Sequence, residues 1–284
     1  MNTTICETIR QAAGRLLSEE EVDVVIGYGP RPDGNGARAV FVRDAEEADQ
    51  LIFDESCVQN LAVYLPREEI REMGRAAVVV KGCDRRAVNV LLRENVIERE
   101  DVHLIGVRCS GVGDPQPDKC AACEVHEPPD CDEVAGEPVE TTETPASPYA
   151  AAEEIEEMSL EERWDFWQAQ MGKCVRCYAC RQACPLCYCQ RCVVEKNVPR
   201  WVESSPHERG NLAWNLARAF HLTGRCVGCG ECERVCPMDI PLTAINQKMA
   251  GLVDEWFDFR SGMLPDEEAP FSTFSEDDPE KDIL

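Results

Sequence analysis

The chain has 284 residues, of which 44% are hydrophobic, enough for two modest domains or for one domain and a smaller module. It contains no run of about 18 uncharged apolar residues, so no membrane span is predicted. Residues 1–10 lack the basic-then-apolar pattern of a secretory signal, which leads us to expect a cytoplasmic protein. The net charge of −25 argues against nucleic-acid binding, because a phosphate backbone is held by concentrated lysine and arginine.

Residues 1–112 alternate helical and extended patterns. The chain begins with an amphipathic helical pattern. Short apolar runs then predict four strands, at 22–26, 39–42, 77–80 and 102–107. Between the last two runs, residues 85–98 place their apolar side chains on one helical face, which predicts a strand–helix–strand crossover. This part of the chain is therefore predicted to be an α/β domain.

The composition changes near residue 124. From there to residue 152 the chain carries five prolines and almost no large apolar residues, which is typical of a linker. A helix is predicted to begin near Ser159, where Glu162 completes a capping box. The predicted fold class is α+β with several domains: an α/β domain at 1–126, an acidic linker at 127–152, an all-α domain at 153–258 and an acidic tail at 259–284.

Eight of the 18 cysteines form two runs with the spacing that bacterial ferredoxins use for [4Fe-4S] clusters. The runs are Cys174-x2-Cys177-x2-Cys180-x3-Cys184-Pro185 and Cys226-x2-Cys229-x2-Cys232-x3-Cys236-Pro237. In such runs the fourth cysteine binds the other cluster, so the predicted ligand sets cross over. One set is Cys174, Cys177, Cys180 and Cys236, and the other is Cys226, Cys229, Cys232 and Cys184.

Zinc is the alternative metal, because CxxC pairs also build tetrahedral zinc sites. A zinc site uses two such pairs per ion, whereas a three-step run that occurs twice leaves too many thiolates unexplained. The chain also lacks an export signal, and in a reducing compartment thiolate–metal chemistry is commoner than disulfides. Iron–sulfur clusters, and with them one-electron transfer, are therefore favoured.

The segment that joins the two runs is basic and helical. Residues 173–234 contain ten basic and five acidic residues. A cubane held by four thiolates is anionic, so these cations are expected to stabilise it and to raise its reduction potential. Within the segment a helix is predicted at 211–222, with an apolar face that consists of Leu212, Leu216, Ala219 and Phe220.

A further set of cysteines lies upstream. Cys83 and Cys109 each follow a strand candidate, and Cys120-x2-Cys123 comes soon after. If the two strands are parallel neighbours, their carboxyl ends place Cys83 and Cys109 side by side, at the edge where α/β sheets bind ligands. Together with the CxxC pair they would supply four ligands for a third cluster.

The remaining cysteines are harder to assign. Cys187, Cys189 and Cys192 follow directly after the first run, which is too many thiols for ordinary packing. With Cys57 they would complete a fourth cluster, so two clusters are predicted from the runs and three or four from the whole chain. Cys6 is predicted to be a core residue, and Cys131 is left as a possible replacement for another ligand.

Two family resemblances rest on these motifs. The two runs, with His221-Leu-Thr-Gly-Arg-Cys226 and Pro237-Met-Asp-Ile-Pro241, resemble the α-helical ferredoxin of heterodisulfide reductase C-type and succinate dehydrogenase iron–sulfur subunits. Upstream, Lys81-Gly-Cys-Asp84, Ile105-Gly-Val-Arg-Cys109, Lys119-Cys-x2-Cys123 and Ser56-Cys-Val-Gln-Asn-Leu61 resemble the beta subunits of coenzyme F420-reducing hydrogenase and formate dehydrogenase. The second resemblance implies a [4Fe-4S] cluster in the α/β domain and FAD for exchange with the deazaflavin coenzyme.

The residues themselves do not predict a flavin site. The Gly-Gly motif of the flavin-binding members is missing, and the pairs Gly27/Gly29 and Gly34/Gly36 predict turns rather than a phosphate cradle. The function predicted is thus an electron-transfer subunit without a catalytic residue of its own. By resemblance, its partners are a formate dehydrogenase, a hydrogenase or a heterodisulfide-reductase-like flavoprotein. The alternative is a flavin-dependent oxidoreductase that acts on coenzyme F420 or NAD(P)H.

Overall fold

The computed structural model describes residues 3–139, 145–196, 198–203 and 205–271. The chain divides into two compact units, Met1–Ala146 and Ser147–Leu284. This division falls inside the segment that was predicted to be a linker, and residues 272–284 of the predicted acidic tail lie outside the described residues. Every helix among the described residues is too short or too polar to span a lipid bilayer.

The first unit is built on a mixed sheet of five strands. Its elements are α1 (Thr3–Ser18), β1 (Val24–Pro30), β2 (Ala37–Val42), α2 (Glu68–Arg71), β3 (Ala76–Val80), α3 (Gly82–Arg93), β4 (Val102–Val107), α4 (Asp118–Ala121) and β5 (Glu133–Ala135). The strand order is β2-β1-β3-β4-β5. Only β1 and β2 are antiparallel; the other three neighbouring pairs are parallel.

The crossover through α3 has the predicted strand–helix–strand form. Strands β3 and β4 are buried along their whole length, as continuous apolar sequence indicates for parallel strands that are covered on both faces. Helix α3 begins at Gly82, three residues before the predicted start, because the Asp84 carboxylate accepts the backbone N–H of Lys81 at 2.8 Å and caps the first turn.

The two glycine pairs have different roles. Gly34 and Gly36 lie in the turn between β1 and β2 with φ of 74° and 98°, a left-handed conformation that favours glycine. Gly27 and Gly29 lie inside β1 instead of in a turn. A Cβ atom on Gly27 would lie 2.5 Å from Cδ2 of Leu51, so this glycine allows close packing against the sheet.

Strand β5 lies in the segment predicted as a linker. It pairs with β4, with Ile105 opposite Glu133. The preceding Asp132 fixes this pairing, because its carboxylate accepts the backbone N–H of Leu104 at 2.7 Å and the Arg99 guanidinium at 2.9 Å. A short strand with polar anchors carries no apolar alternation, so the composition of this segment did not reveal it.

The second unit, as far as it is described, has helices as its regular elements. They are α5 (Ala150–Glu156), α6 (Leu160–Gly172), α7 (Ala179–Gln182), α8 (Glu208–His221), α9 (Glu231–Arg234) and α10 (Leu242–Phe257). Helix α6 starts with the predicted capping box, in which the Glu162 backbone N–H donates to Ser159 Oγ at 3.3 Å. The core of the unit combines Met171, Trp214, Ile240 and Leu242 with the thiols of Cys180 and Cys232.

Candidate iron–sulfur sites

The upstream cysteines gather at the carboxyl edge of the parallel sheet. Strands β3 and β4 pair in register with Val80 opposite Gly106. Cys83 lies in the first turn of α3, just beyond β3, and Cys109 lies two residues beyond the end of β4. The order of the strands therefore brings these two residues to the same edge, where the sequence predicted them.

The four upstream thiols are close enough to influence one another's pKa values. Burial raises the pKa of Cys83 to about 12, and Cys109 adds to the shift. Burial also raises the pKa of Cys109, with further contributions from Cys120 and Cys123. Like charges raise one another's pKa only at short range. The structure thus brings Cys83, Cys109, Cys120 and Cys123 together.

Close backbone packing holds this edge in place. The Cys109 backbone N–H donates to the carbonyl of His126 at 2.9 Å, and the His126 ring nitrogen Nδ1 lies 2.9 Å from the carbonyl oxygen of Cys109. Gly82 permits the approach of this segment, because a Cβ atom there would lie 1.8 Å from the carbonyl oxygen of Val125. His126 thus supports this edge of the sheet.

Replacing Gly82 with alanine is expected to destabilise the first unit by about 1–3 kcal/mol, because backbone rather than a flexible side chain must move to admit the methyl group. The control is Gly14→Ala in α1, where the nearest atoms to the added Cβ lie 3.9 Å away or farther. That change should stabilise the helix by about 0.5–1 kcal/mol. Pulse proteolysis in a urea series measures both, and an equal effect of the two changes would contradict the packing argument.

A buried cation stands beside the upstream thiols. Lys81 is 1% exposed, and its Nζ lies 2.9 Å from a carboxylate oxygen of Asp84, 2.9 Å from the carbonyl of Gln59 and in contact with the Tyr28 hydroxyl. Burial lowers the pKa of Lys81, but Asp84 and Tyr28 outweigh it, so the side chain stays charged. Its charge favours the thiolate forms of Cys83 and Cys109.

The first unit has three further cysteines that are not part of the predicted upstream set. Cys57 is fully buried, and its Sγ accepts the Asp54 backbone N–H at 3.4 Å. Burial raises its pKa to about 12, and Lys81 acts on it from nearby. Cys6 is buried in α1 with its Sγ against the backbone of Phe53, whereas Cys131 lies against Gly106.

The first run of the second unit lines a pocket together with a cysteine of the other run. The thiols in its wall are those of Cys174, Cys177, Cys180 and Cys236. They are accompanied by the buried side chains of Trp214, Ile240 and Leu242, whereas Cys177 is exposed to solvent. This is the crossed combination that the ferredoxin spacing predicts.

Three thiols of the second predicted set, Cys226, Cys184 and Cys232, also come together. Burial raises the pKa of Cys226 to about 12, and Cys232 and Cys184 add to the shift. Cys229 is 9% exposed. Cys184 thus lies near cysteines of the other run, as Cys236 does in the first pocket.

The two runs share an unusual backbone. In the second run, Gly228 and Gly230 have φ of 68° and 70°. The equivalent positions of the first run, Arg176 and Tyr178, adopt φ of 55° and 61° although they are not glycines. A left-handed residue on each side of the second cysteine curls the loop, so that successive thiols face inward. Non-glycine residues accept this conformation where the surroundings impose it, which is common at ligand sites.

The third group of thiols lines a pocket of its own. Its wall contains Cys187, Cys189 and Cys192 along with Arg181, Arg218, Arg225 and His221. The structure therefore brings these three cysteines together. Cys57, their predicted fourth partner, belongs to the first unit, and its assignment to this set stays a prediction.

The donor chemistry of these pockets fits iron–sulfur clusters. Thiolates are the ligands that hold cubanes, and burial makes their ionisation costly until a metal takes up the charge. No three His, Cys, Asp or Glu side chains of the described residues lie close enough together to hold a single metal ion. The thiolates of a cubane each bind a different iron, so their sulfurs stand farther apart than the ligands of one ion.

Helix α8 buries several polar side chains, whereas its sequence predicted an apolar face; Ala219 of that predicted face is buried. Its buried residues include Asn211, Trp214, Asn215 and Arg218, whereas Phe220 is 62% exposed. Asn211 donates to the Cys174 carbonyl at 2.7 Å and accepts from the Arg176 guanidinium at 3.0 Å. The buried residues recur at helical spacing. Several of them are polar, so a pattern of apolar residues does not reveal this face.

Parts of the chain are similar to known proteins. Residues 173–241 match the family described as a 4Fe-4S dicluster domain. One relative, the F420-dependent formate dehydrogenase subunit beta of Methanocaldococcus jannaschii, is 36% identical over 102 residues, which are 34% of this chain and 26% of the relative. Another, the F420-dependent formate dehydrogenase 1 subunit beta of Methanococcus maripaludis, is 33% identical over 114 residues, 39% of this chain and 28% of the relative.

The matched region spans about a quarter of the length of each relative. Within that region the resemblance inferred from the cysteine motifs is confirmed, and so is the presence of an iron–sulfur ferredoxin module. The chain resembles the beta subunits of F420-dependent formate dehydrogenases and carries a 4Fe-4S dicluster domain.

Proposed function

We propose that the chain is an electron-transfer subunit of an oxidoreductase complex and that its thiol groups hold three or four [4Fe-4S] clusters. The observation that supports it most strongly is the pocket formed by Cys174, Cys177, Cys180 and Cys236. These residues come from two runs about fifty residues apart in the sequence. Packing of an apolar core does not require four such thiols to line one pocket. Clusters of this type supply one-electron transfer without making or breaking substrate bonds.

The protein's own residues would set the conditions for that transfer. The first ferredoxin set is Cys174, Cys177, Cys180 and Cys236; the second is Cys226, Cys229, Cys232 and Cys184; the upstream set is Cys83, Cys109, Cys120 and Cys123. Trp214 and the apolar residues around it pack against the buried side of the first pocket, where Cys180 lies. Backbone amides donate to several of the sulfurs, as the Val112 N–H does to Cys120 at 3.5 Å, and hydrogen bonds of this kind raise cluster potentials.

The domain division and the partners form part of the same proposal. Residues 1–126 would be the α/β iron–sulfur domain and residues 153–258 an all-α ferredoxin domain. The relatives are subunits of formate dehydrogenases by name, so a formate dehydrogenase is the first candidate partner on one side of the relay. A hydrogenase is the alternative partner on that side, and a heterodisulfide-reductase-like flavoprotein is the proposed partner on the other.

Quantitation of iron and acid-labile sulfide in the anaerobically purified chain tests this proposal. About eight irons are expected for the ferredoxin pair alone, about twelve with the upstream set and about sixteen with the set of Cys187, Cys189, Cys192 and Cys57. Stepwise reduction followed by electron paramagnetic resonance should show the corresponding number of one-electron centres. A correctly folded chain without iron would contradict the proposal, and stoichiometric FAD with coenzyme oxidation by the isolated chain would favour an enzyme over a relay.

A further inference from the structure

Arg218 occupies a central position in the second unit. It lies on the buried face of α8 and is 7% exposed. Its guanidinium donates to the backbone carbonyl of Cys180 at 3.2 Å, and its side chain forms part of the wall of the pocket that contains Cys187, Cys189 and Cys192. One side chain therefore contacts a ligand of the first ferredoxin set and the neighbouring thiol pocket.

The guanidinium also faces the second ferredoxin set. Burial raises the pKa of Cys232, and the charge of Arg218 opposes that rise. Arg218 also favours the ionised form of Cys187. It favours the ionised forms of Cys180 and Cys184 as well. Burial nevertheless keeps the pKa of Cys180 raised, and the hydrogen bond with Cys187 keeps the pKa of Cys184 raised. Arg218 thus acts on thiols of both predicted ferredoxin clusters.

The partners of Arg218 distinguish it from other arginines nearby. Arg181 is held by the Glu195 carboxylate at 2.7 Å and Arg234 by the Glu231 carboxylate at 2.6 Å, so their charges are largely balanced. Among the described residues no carboxylate pairs with Arg218, and its Nε has no hydrogen-bond partner. Burial lowers the pKa of Arg218, but four thiols outweigh it: Cys184, Cys232, Cys187 and Cys180.

A buried cation of this kind is unfavourable unless negative charge stands beside it. Anionic thiolate-held clusters would supply that charge. Each cluster gains one further negative charge when it accepts an electron, and in a low-dielectric interior a fixed positive charge stabilises the reduced form more than the oxidised form. Reduction would therefore be easier in the presence of the arginine.

We propose that Arg218 is a positioning residue shared by the two ferredoxin clusters, and that its guanidinium raises the reduction potentials of both while it anchors the Cys180 loop to α8. This inference rests on the proposed function, since it requires that the clusters are bound. It goes beyond that function by assigning the tuning of two centres to one side chain. Removal of the charge should consequently shift both centres in the same direction.

The test compares Arg218→Gln with Arg218→Lys in the full anaerobic chain. Redox titration with dithionite, followed by electron paramagnetic resonance, gives the midpoint potential of each centre. In Arg218→Gln we expect the ratio of reduced to oxidised cluster at a fixed potential to fall at least tenfold for both ferredoxin centres, a shift of about 59 mV for a one-electron couple. Arg218→Lys keeps the charge and should recover most of the shift.

The matched control is Arg209→Gln, because Arg209 lies on the same helix, is exposed and undergoes the same change of charge. It should leave both potentials at the wild-type values. If Arg218→Gln keeps its iron and its potentials equal those of the control, the inference fails while the proposed function stands. If the wild-type chain holds no iron, both fail.

A second measurement covers the case in which Arg218→Gln does not assemble its clusters. Wild-type chain whose arginines carry ¹⁵N only in the guanidinium group should show a nitrogen hyperfine coupling in its reduced clusters that Arg218→Lys, prepared in the same way, lacks. Coupling of equal strength in the two proteins, or none in the wild type, would overturn the placement of this guanidinium beside the clusters.

Discussion

Replacing Cys236 with alanine is expected to remove about four irons from the chain and to leave the other clusters in place. The reason is the crossed arrangement of the thiols. Cys236 belongs to the second run by sequence, but in the structure it lines the pocket of Cys174, Cys177 and Cys180. Loss of this thiol deprives one iron of the first-run cluster of its ligand, and a cubane with three ligands and a water-accessible iron is readily lost.

The pattern across variants is the measurement that decides the arrangement. Cys236→Ala and Cys177→Ala should abolish the same resonance signal, whereas Cys184→Ala and Cys229→Ala should both abolish the other. Cys131→Ala is the control, because Cys131 lies against Gly106 in the first unit and belongs to neither run; it should keep the full iron content. If Cys236→Ala removes the signal that Cys229→Ala removes, each run holds its own cluster and the crossed sets are wrong.

The ferredoxin runs could be interpreted from sequence because the ligand spacing is itself the structural requirement. Two residues between cysteines allow successive thiols to curl inward, and the runs meet this requirement twice. The upstream set was predictable for a different reason: continuous apolar runs separated by a helical segment predict parallel neighbouring strands, and the ends of such strands lie at one edge. The parallel pairing of β3 and β4 is what brings Cys83 and Cys109 together.

Other features could not be predicted from the sequence, because they depend on contacts between residues that are far apart along the chain. Strand β5 is short, and it is held by Asp132 through Arg99 and Leu104 rather than by an apolar pattern. The buried face of α8 has helical periodicity but includes polar residues. Asn211 and Arg218 on that face donate hydrogen bonds to the backbone carbonyls of Cys174 and Cys180. Patterns of hydropathy report burial among apolar groups, and they give no signal where burial is compensated by polar partners.

Hydropathy likewise gives no signal for the buried ion pair beside the upstream thiols. In the sequence, Lys81 stands out only as part of the motif Lys81-Gly-Cys-Asp84. Its partner Asp84 is fully buried. One carboxylate oxygen of Asp84 accepts the backbone N–H of Leu61 at 3.0 Å, and the other accepts the backbone N–H of Lys81 at 2.8 Å and lies 2.9 Å from its Nζ. Asp84 therefore joins the start of α3, the segment at Leu61 and the buried ammonium group.

Replacing Asp84 with asparagine is expected to destabilise the first unit by about 3–5 kcal/mol, because it leaves the Lys81 charge buried without a counter-ion. The double change Asp84→Asn with Lys81→Met removes that charge and should be less destabilised than the single change, which gives a favourable coupling between the two sites. The control is Asp49→Asn, an exposed carboxylate at the end of the segment Ala45–Gln50, whose loss should change stability by less than about 0.5 kcal/mol.

Tryptophan fluorescence would miss this effect, because all five tryptophans lie in Ser147–Leu284. Hydrogen exchange followed by mass spectrometry reports on the first unit directly, since the amides of β3 and β4 exchange only when the core of the sheet opens. Asp84→Asn should speed that exchange by a factor of about 100 or more, at 1.4 kcal/mol per factor of ten. Exchange as slow as in Asp49→Asn would mean that Lys81 finds another partner or loses its proton, and the buried pair would then not be what stabilises this edge of the sheet.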